Sequence, residues 1–152
     1  MLIVLAVLIG IIAGLRAFTA PAAVSLAVRY GHLGVAGTPL AFLGYRWTPW
    51  ILLALALAEL VGDQLPATPS RKVPLQFGTR VVMGALAGAA IAASGGLALG
   101  AVAGAIGAVI GTLGGAAARA KLAAAFRSDR RAALIEDVIA IGGAWLLVCC
   151  LP

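Results

Sequence analysis

The sequence predicts an all-α integral membrane protein, a bundle of about five transmembrane helices in one domain over residues 1–152. The first observation is composition, because 63% of the residues are hydrophobic, only 11% are charged, and the mean hydropathy is +1.12. A soluble domain has about 25% charged residues and could not cover its surface with so few. The second observation is that the apolar residues form long runs with charges at their ends. Together they exclude soluble, disordered and fibrous proteins.

Five segments approach the ~20 apolar residues that a membrane-crossing helix needs: 2–28, 48–65, 78–95, 97–118 and 132–150. The first is predicted to be a retained span rather than a signal peptide, because no positive charge precedes its apolar run. Ser94-Gly95-Gly96 is predicted to be a tight turn that separates the third and fourth spans. Four spans with a re-entrant piece within 35–44 is the alternative arrangement.

The basic residues predict the orientation of these spans. The connections 66–77 and 119–131 carry Arg71, Lys72, Arg119, Lys121, Arg127, Arg130 and Arg131, and the opposite side carries Arg29 and Arg46. Under the positive-inside rule the N-terminus is cytoplasmic and the C-terminus periplasmic in a bacterial inner membrane. Because the basic residues are dispersed among these connections, we expect the lipid bilayer and not nucleic acid as the partner. Pro66, Pro69 and Pro74 are predicted to end the second helix and to keep the following stretch extended.

Two pairs of segments resemble each other and predict an internal repeat. A long glycine-containing helix with Arg16 precedes a segment with acidic residues, and a second such helix ending near Arg119 precedes another. Because one span separates the pairs, they would enter the membrane from opposite faces, as in the inverted repeats of secondary transporters. The alternative is that any two helix pairs rich in alanine and glycine look alike.

Glycines at four-residue spacing predict close contact between the third and fourth spans. Lipid supplies no hydrophobic drive between helices, so small residues that let two backbones approach favour association. The predicted packing positions are Gly84, Gly88, Gly100, Gly104, Gly107, Gly111 and Gly115. A pore lining or a homo-oligomer interface is the alternative use of this face.

Arg16 is predicted to lie deep in the membrane, where a charge costs at least ~2.5–3.5 kcal/mol and requires a partner. Side chains lean toward the N-terminus of their own helix, so Arg16 and Glu59 of the oppositely directed second span are predicted to meet. Asp63 is one turn further along the same face. An ion or proton pathway and a structural ion pair are the two interpretations of this trio.

A second polar group consists of Arg119, Glu136 and Asp137. The two acids fall in the early turns of the fifth helix, where the helix dipole favours them, with Ser128 or Asp129 as the N-cap. Arg119 and Arg80 are predicted to extend to the cytoplasmic interface. A pair between Arg119 and Glu136 would copy the first group and support the repeat.

Pro21 falls inside the first helical segment, near Gly14. An ordinary kink is one interpretation. The other is a discontinuous helix that presents free backbone donors to an anion beside Arg16.

The sequence contains few residues that could form a catalytic or metal site. The only histidine, His32, falls in a predicted loop, and Cys149 and Cys150 are neighbours, which seldom have disulfide geometry with each other. No Cys/His cluster suits zinc, and the scattered acids do not form an oxygen cage. We therefore expect no catalytic residues, no metal and no cofactor.

Four strings together resemble a family of small bacterial multi-pass membrane proteins classed as a domain of unknown function: Gly-Leu-Arg-Ala-Phe-Thr-Ala-Pro at 14–21, Glu-Leu-Val-Gly-Asp-Gln-Leu-Pro at 59–66, Pro69-Ser70-Arg71 and Ile135-Glu136-Asp137. Gln64 stands where the family pattern has a lysine. The resemblance implies a membrane protein and marks Arg16, Glu59, Asp63, Glu136 and Asp137 as its polar positions. It implies no substrate.

Two functions remain. Buried charges, a broken first helix and an inverted repeat would favour a small transporter or channel for an ion or small solute. Small size, minimal loops and abundant glycine and alanine would favour a structural or accessory subunit of a larger membrane complex. Transport is preferred, because an accessory bundle has little need to bury charges far from both faces.

Overall fold

A computed structural model describes residues 1–63 and 73–151, and this part of the chain is helical throughout, without a strand. Six α-helices and one short 3₁₀ helix follow each other along the chain. They are α1 (Leu2–Leu15), α2 (Thr19–Arg29), the 3₁₀ helix (Pro39–Gly44), α3 (Thr48–Gly62), α4 (Pro74–Ile91), α5 (Leu97–Phe126) and α6 (Asp129–Cys149).

Each of the five predicted segments contains helix, but several boundaries differ, and the first segment is divided into α1 and α2. The fourth segment extends to Phe126 as α5, because the added residues are mostly alanine and other strong helix formers. Arg127 then ends α5 in the left-handed conformation, with φ 50°. The predicted connection 119–131 is thus mostly helix.

The third segment begins earlier than predicted, since Pro74 occupies a first-turn position of α4, where its missing N–H is not needed. A turn follows α4 at residues 92–96, as predicted, and Gly96 has the positive φ of 132° that favours glycine. Pro66, Pro69, Arg71 and Lys72 lie outside the described residues.

The connection between α2 and α3 folds back onto the bundle through the 3₁₀ helix. Thr38 begins this helix by accepting a hydrogen bond from the Leu40 N–H. Leu43 is fully buried, and the Ser25 hydroxyl of α2 donates to its carbonyl oxygen at 2.5 Å. The connection is therefore part of the packed structure beside α2.

Helices α1, α4 and α5 approach each other at glycine. A Cβ added at Gly104 would lie 2.1 Å from the Gly84 carbonyl oxygen, and one at Gly88 would lie 2.4 Å from the Gly100 oxygen. On another face of α5, a Cβ at Gly107 or Gly111 would lie 2.1 or 2.2 Å from carbonyl oxygens of α1. Gly115 is buried on α5.

The glycines of α1 complete this three-helix contact. A Cβ at Gly10 would lie 2.1 Å from the Gly104 oxygen, and one at Gly14 would lie 2.4 Å from the Ala108 oxygen. The sequence analysis predicted the contact between α4 and α5 but not the one between α1 and α5. Backbone contacts of this kind hold the end of α1, where the polar site begins, in a fixed position.

Two described helices, α5 and α6, are long and apolar enough to cross a membrane. Helices α1 and α3 are apolar but shorter.

Candidate functional site

The first predicted span is interrupted at Arg16, Ala17 and Phe18. Arg16 has extended backbone angles, φ −139° and ψ 110°, and α2 begins only at Thr19. The proline that predicted a kink explains the position of this break, because the ring of Pro21 would collide with the carbonyl of Ala17 in a continuous helix. Pro21 itself fits in the first turn of α2, where its missing N–H is not needed.

The carbonyl end of α1 is bound by an arginine. Arg80 of α4 donates through Nη1 to the Gly14 carbonyl oxygen at 3.0 Å and also to the Leu15 oxygen. The Arg80 side chain is 1% exposed. A cation at the C-terminus of a helix stabilises the partial negative charge there and satisfies carbonyls that lack helical partners.

The amide end of α2 is bound by a carboxylate. Ala17 and Phe18 donate their N–H groups to Oε1 and Oε2 of Glu59, at 2.8 and 3.0 Å. Glu59 Oε1 also lies 3.3 Å from Arg80 Nη2, so one ion pair bridges the two helix ends. Each end thereby receives the charge that its dipole favours.

Arg16 lies between the two ends and is fully buried. Its Nη1 donates to Asp63 at the end of α3, and its Nη2 donates to Asp137 of α6. The Nε of Arg16 has no hydrogen-bond partner among the described residues. Arg16 thus connects the break to two further helices through charged hydrogen bonds, which are stronger than neutral ones.

The predicted pair of Arg16 with Glu59 is wrong, although Asp63 does adjoin Arg16. Glu59 accepts from the amides of the break and pairs with Arg80 instead. Both acids lie on one face of α3, one turn apart, so their position along the helix rather than its rotation separates them. Glu59 lies beside the amides of the break, and Asp63 lies beside the guanidinium. Two of the backbone donors expected at a discontinuous helix, those of Ala17 and Phe18, are occupied by Glu59.

The predicted interfacial position of Arg80 is also wrong, because Arg80 is buried in the centre of the bundle. One signal could have indicated this. Arg80, Gly84 and Gly88 are spaced by four residues and therefore share the face of α4 that packs on α5 and α1. A charged residue on the glycine face of α4 therefore lies within the helix contact rather than at the surface of the bundle.

The second predicted group is divided by the structure. Asp137 pairs with Arg16 and is therefore one of the charged residues at the break. A favourable helix dipole alone does not explain its position on α6. Asp137 shares a buried face of α6 with small residues, which places it toward the bundle. Arg119 pairs with Asp129 at 2.6 Å and with Glu136 at 3.7 Å. The predicted pair of Arg16 with Glu59, which Arg119–Glu136 would copy, is not formed, and α5 has no break like the one after α1. The contact of Arg119 with Glu136 therefore does not support an internal repeat.

Each acidic residue of the chain lies within 4 Å of an arginine. The chain contains five Asp and Glu residues. They pair as Arg16 with Asp63 and Asp137, Arg80 with Glu59, and Arg119 with Asp129 and Glu136. Three of the five acids therefore pair with the two arginines at the break, and the other two pair with Arg119 of α5.

Comparison of the sequence with known protein families identifies one. The family described as Domain of unknown function (DUF4126) matches residues 3–150. The chain belongs to this family. No curated protein and no solved structure shows significant similarity to it. The family resemblance predicted from the sequence is therefore confirmed. Five charged residues lie at the break of this DUF4126 chain, and all except Arg80 belong to the polar positions that the resemblance marked: Arg16, Glu59, Asp63 and Asp137.

A cavity of about 450 Å³ opens beside the break, between α3 and α4. Ala17, Phe18, Glu59 and Asp63 form part of its wall. The other described residues of the wall are Leu55, Ala58, Gly62, Leu75, Gln76 and Thr79. Glu59 and Asp63 are 12% and 13% exposed, whereas the arginines behind them are almost fully buried. A solute in the cavity would therefore meet the carboxylates first.

The polarity of the Glu59–Arg80 pair is testable. We expect Glu59→Arg combined with Arg80→Glu to be no more stable than either single variant, because the exchange would place a carboxylate on the carbonyls of α1 and a guanidinium on the amides of α2. Unfolding of the purified proteins in detergent measures this. A double variant restored to wild-type stability would mean that the pair acts without regard to the helix ends.

Proposed function

We propose that this protein is a small multi-pass transport protein, a transporter or channel that moves an ion or small solute past the break between α1 and α2. The observation that carries the proposal is the break itself, with oppositely charged helix ends beside a cavity. Discontinuous helices of this kind form the substrate and ion sites of many secondary transporters. In this proposal the protein binds and moves its solute without changing it chemically.

The surface of the long helices supports a location in a membrane. Only 39% of the most apolar stretch of α5 and 33% of that of α6 are buried in the bundle. The core helix of a soluble protein would be buried along most of its length. Large apolar side chains cover the outer faces, among them Val102, Ile106, Ile110, Val138, Ile141 and Trp145. Lipid would cover these side chains without cost.

We further propose five spans, with α1 and α2 together forming the first, in a bacterial inner membrane. The N-terminus is cytoplasmic and the C-terminus periplasmic in this proposal, because of the distribution of basic residues. Inverted two-helix repeats around α4 belong to the same hypothesis. The outer apolar faces would contact lipid, further copies of the chain, or a partner subunit.

The energetics favour a role in transport over a purely structural role. Arg16 and Arg80 are buried together with carboxylates, and removing charges from water costs several kcal/mol for each ion. Well-packed apolar residues can often replace a buried ion pair without loss of stability. Charges retained at such positions in a membrane domain are characteristic of ion and solute pathways.

Reconstitution into liposomes tests the proposal. We expect the wild-type protein to carry a current or a proton flux across the vesicle membrane, measured with an internal pH dye and with ion electrodes across a series of salts. Glu59→Gln should reduce this flux at least about tenfold, because the amide cannot carry the charge that balances Arg80 and the α2 amides.

Asp129→Asn is the matched control. Asp129 is also an acid paired with an arginine, but its side chain is 65% exposed and distant in the chain from the break. We expect this variant to retain the wild-type flux. Silent vesicles, together with isolation in fixed ratio with a larger membrane assembly, would instead establish the accessory-subunit alternative.

A further inference from the structure

The cavity beside Glu59 has the two kinds of wall that a short-chain monocarboxylic acid requires. At one end the Ala17 and Phe18 amides lie 2.8 and 3.0 Å from the two oxygens of one carboxylate, with Arg80 Nη2 3.3 Å from one of them. Leu55, Ala58 and Leu75 form an apolar wall nearby. The cavity volume, about 450 Å³, accommodates a chain of a few carbons.

The polar end of the cavity, at the Ala17 and Phe18 amides, is occupied by the Glu59 carboxylate of the protein itself. Glu59 uses each carboxylate oxygen for one amide, and it lies in the cavity wall rather than behind it. Its carboxylate can therefore leave the amides by turning toward open space, whereas Arg80 is held by the carbonyls of α1. A second carboxylate of the same shape could then accept the same hydrogen bonds.

We propose that this cavity binds a short-chain monocarboxylic acid, whose carboxylate replaces that of Glu59 at the break. The acid enters neutral and gives its carboxyl proton to the Glu59 carboxylate. Neutral Glu59 turns into the cavity, and the new carboxylate accepts the bonds from Ala17 and Phe18. The exchange leaves the net charge at the break unchanged, which avoids the cost of adding a charge within the bundle.

The other charged groups described around the break remain in their pairs during this exchange. Arg16 keeps Asp63 and Asp137, and Arg80 keeps the carbonyls of α1 and pairs with the incoming carboxylate. The proposal rests on the proposed transport function for its physiological meaning, and it names the class of solute. Binding and flux can nevertheless be measured separately.

Sodium propionate is the probe, compared with sodium chloride at equal ionic strength, with the full-length protein in detergent micelles. We expect propionate to raise the thermal unfolding temperature of the wild-type protein by several degrees, since a ligand of the folded state stabilises it. The apparent affinity should be about tenfold or more higher near pH 5.5 than near pH 7.5, because the neutral acid supplies the proton.

Two variants separate this mechanism from a general salt effect. Glu59→Gln has no carboxylate to be neutralised, so we expect it to bind propionate with little dependence on pH. Ala58→Phe fills the cavity from an exposed position on α3 and should abolish the stabilisation. If Glu59→Gln does not fold, the difference in propionate stabilisation between the wild-type protein and Ala58→Phe still tests whether propionate binds in the cavity.

Equal effects of propionate and chloride on the wild-type protein would overturn the proposal, as would undiminished binding by Ala58→Phe. Propionate binding with liposomes that are silent toward every salt in the series would leave the cavity assignment standing and overturn transport of those ions. If another solute crossed the vesicle membrane, its flux were lost in Glu59→Gln, and propionate did not bind, the transport function would stand and the cavity assignment would be overturned. Binding rather than propionate flux is measured because neutral short-chain acids cross lipid unaided.

Discussion

Arg16→Met is expected to destabilise the folded protein by about 3–5 kcal/mol, because it leaves two carboxylates near each other without their shared cation. Asp63 and Asp137 both accept from Arg16, whose side chain is fully buried. Methionine preserves most of the volume of the side chain, so lost packing contributes little. Denaturant unfolding in micelles, followed by circular dichroism, measures the change.

A triple variant and a surface control make this result specific. Adding Asp63→Asn and Asp137→Asn to Arg16→Met should restore most of the stability, since the two carboxylates that shared the Arg16 cation are then replaced by neutral amides. Arg46→Met removes an exposed arginine that lies over the Trp47 ring, and its effect should stay within about 0.5 kcal/mol. Equal losses in Arg16→Met and Arg46→Met would show that the Arg16 pairs contribute nothing.

Gly104→Leu is expected to abolish the folded bundle or to cost about 3 kcal/mol or more. The first atom of any side chain at this position would lie 2.1 Å from the Gly84 carbonyl oxygen, and Gly88 of α4 is as close as 3.0 Å. Backbone atoms of a neighbouring helix cannot move aside as the end of a flexible side chain can. Recovery of monodisperse protein by size-exclusion chromatography, with thermal unfolding of what is recovered, measures the loss.

Gly114→Leu is the matched control on the same helix. No atom lies within 4 Å of a Cβ added at Gly114, and the position is exposed. We expect wild-type yield and stability for this variant. If Gly104→Leu behaved like Gly114→Leu, the contact between α4 and α5 would not determine the fold.

The helices and the family could be predicted from the sequence because both depend on local patterns. Apolar runs, the glycine turn before α5 and the four-residue spacing of glycines are properties of consecutive residues. The resemblance that predicted the family is likewise carried by short strings around Arg16, Glu59 and Glu136. These strings also identified four of the five charged residues at the break, and Arg80 was the omission.

The partners of those charges depended on the tertiary structure. Arg16 pairs with Asp63 and Asp137 rather than with Glu59, because Asp63 lies one turn beyond Glu59 on α3 and Asp137 comes from α6, which packing brings to the same place. The relative positions of the helices follow from packing across the whole bundle, including the glycine contacts of α1 with α5, which no local pattern had indicated. The sequence alone therefore determined which side chains are polar and which segments are helical. Only the packed bundle decided that the broken ends of α1 and α2 are bound by Arg80 and Glu59, because each end needs a charge from a different helix.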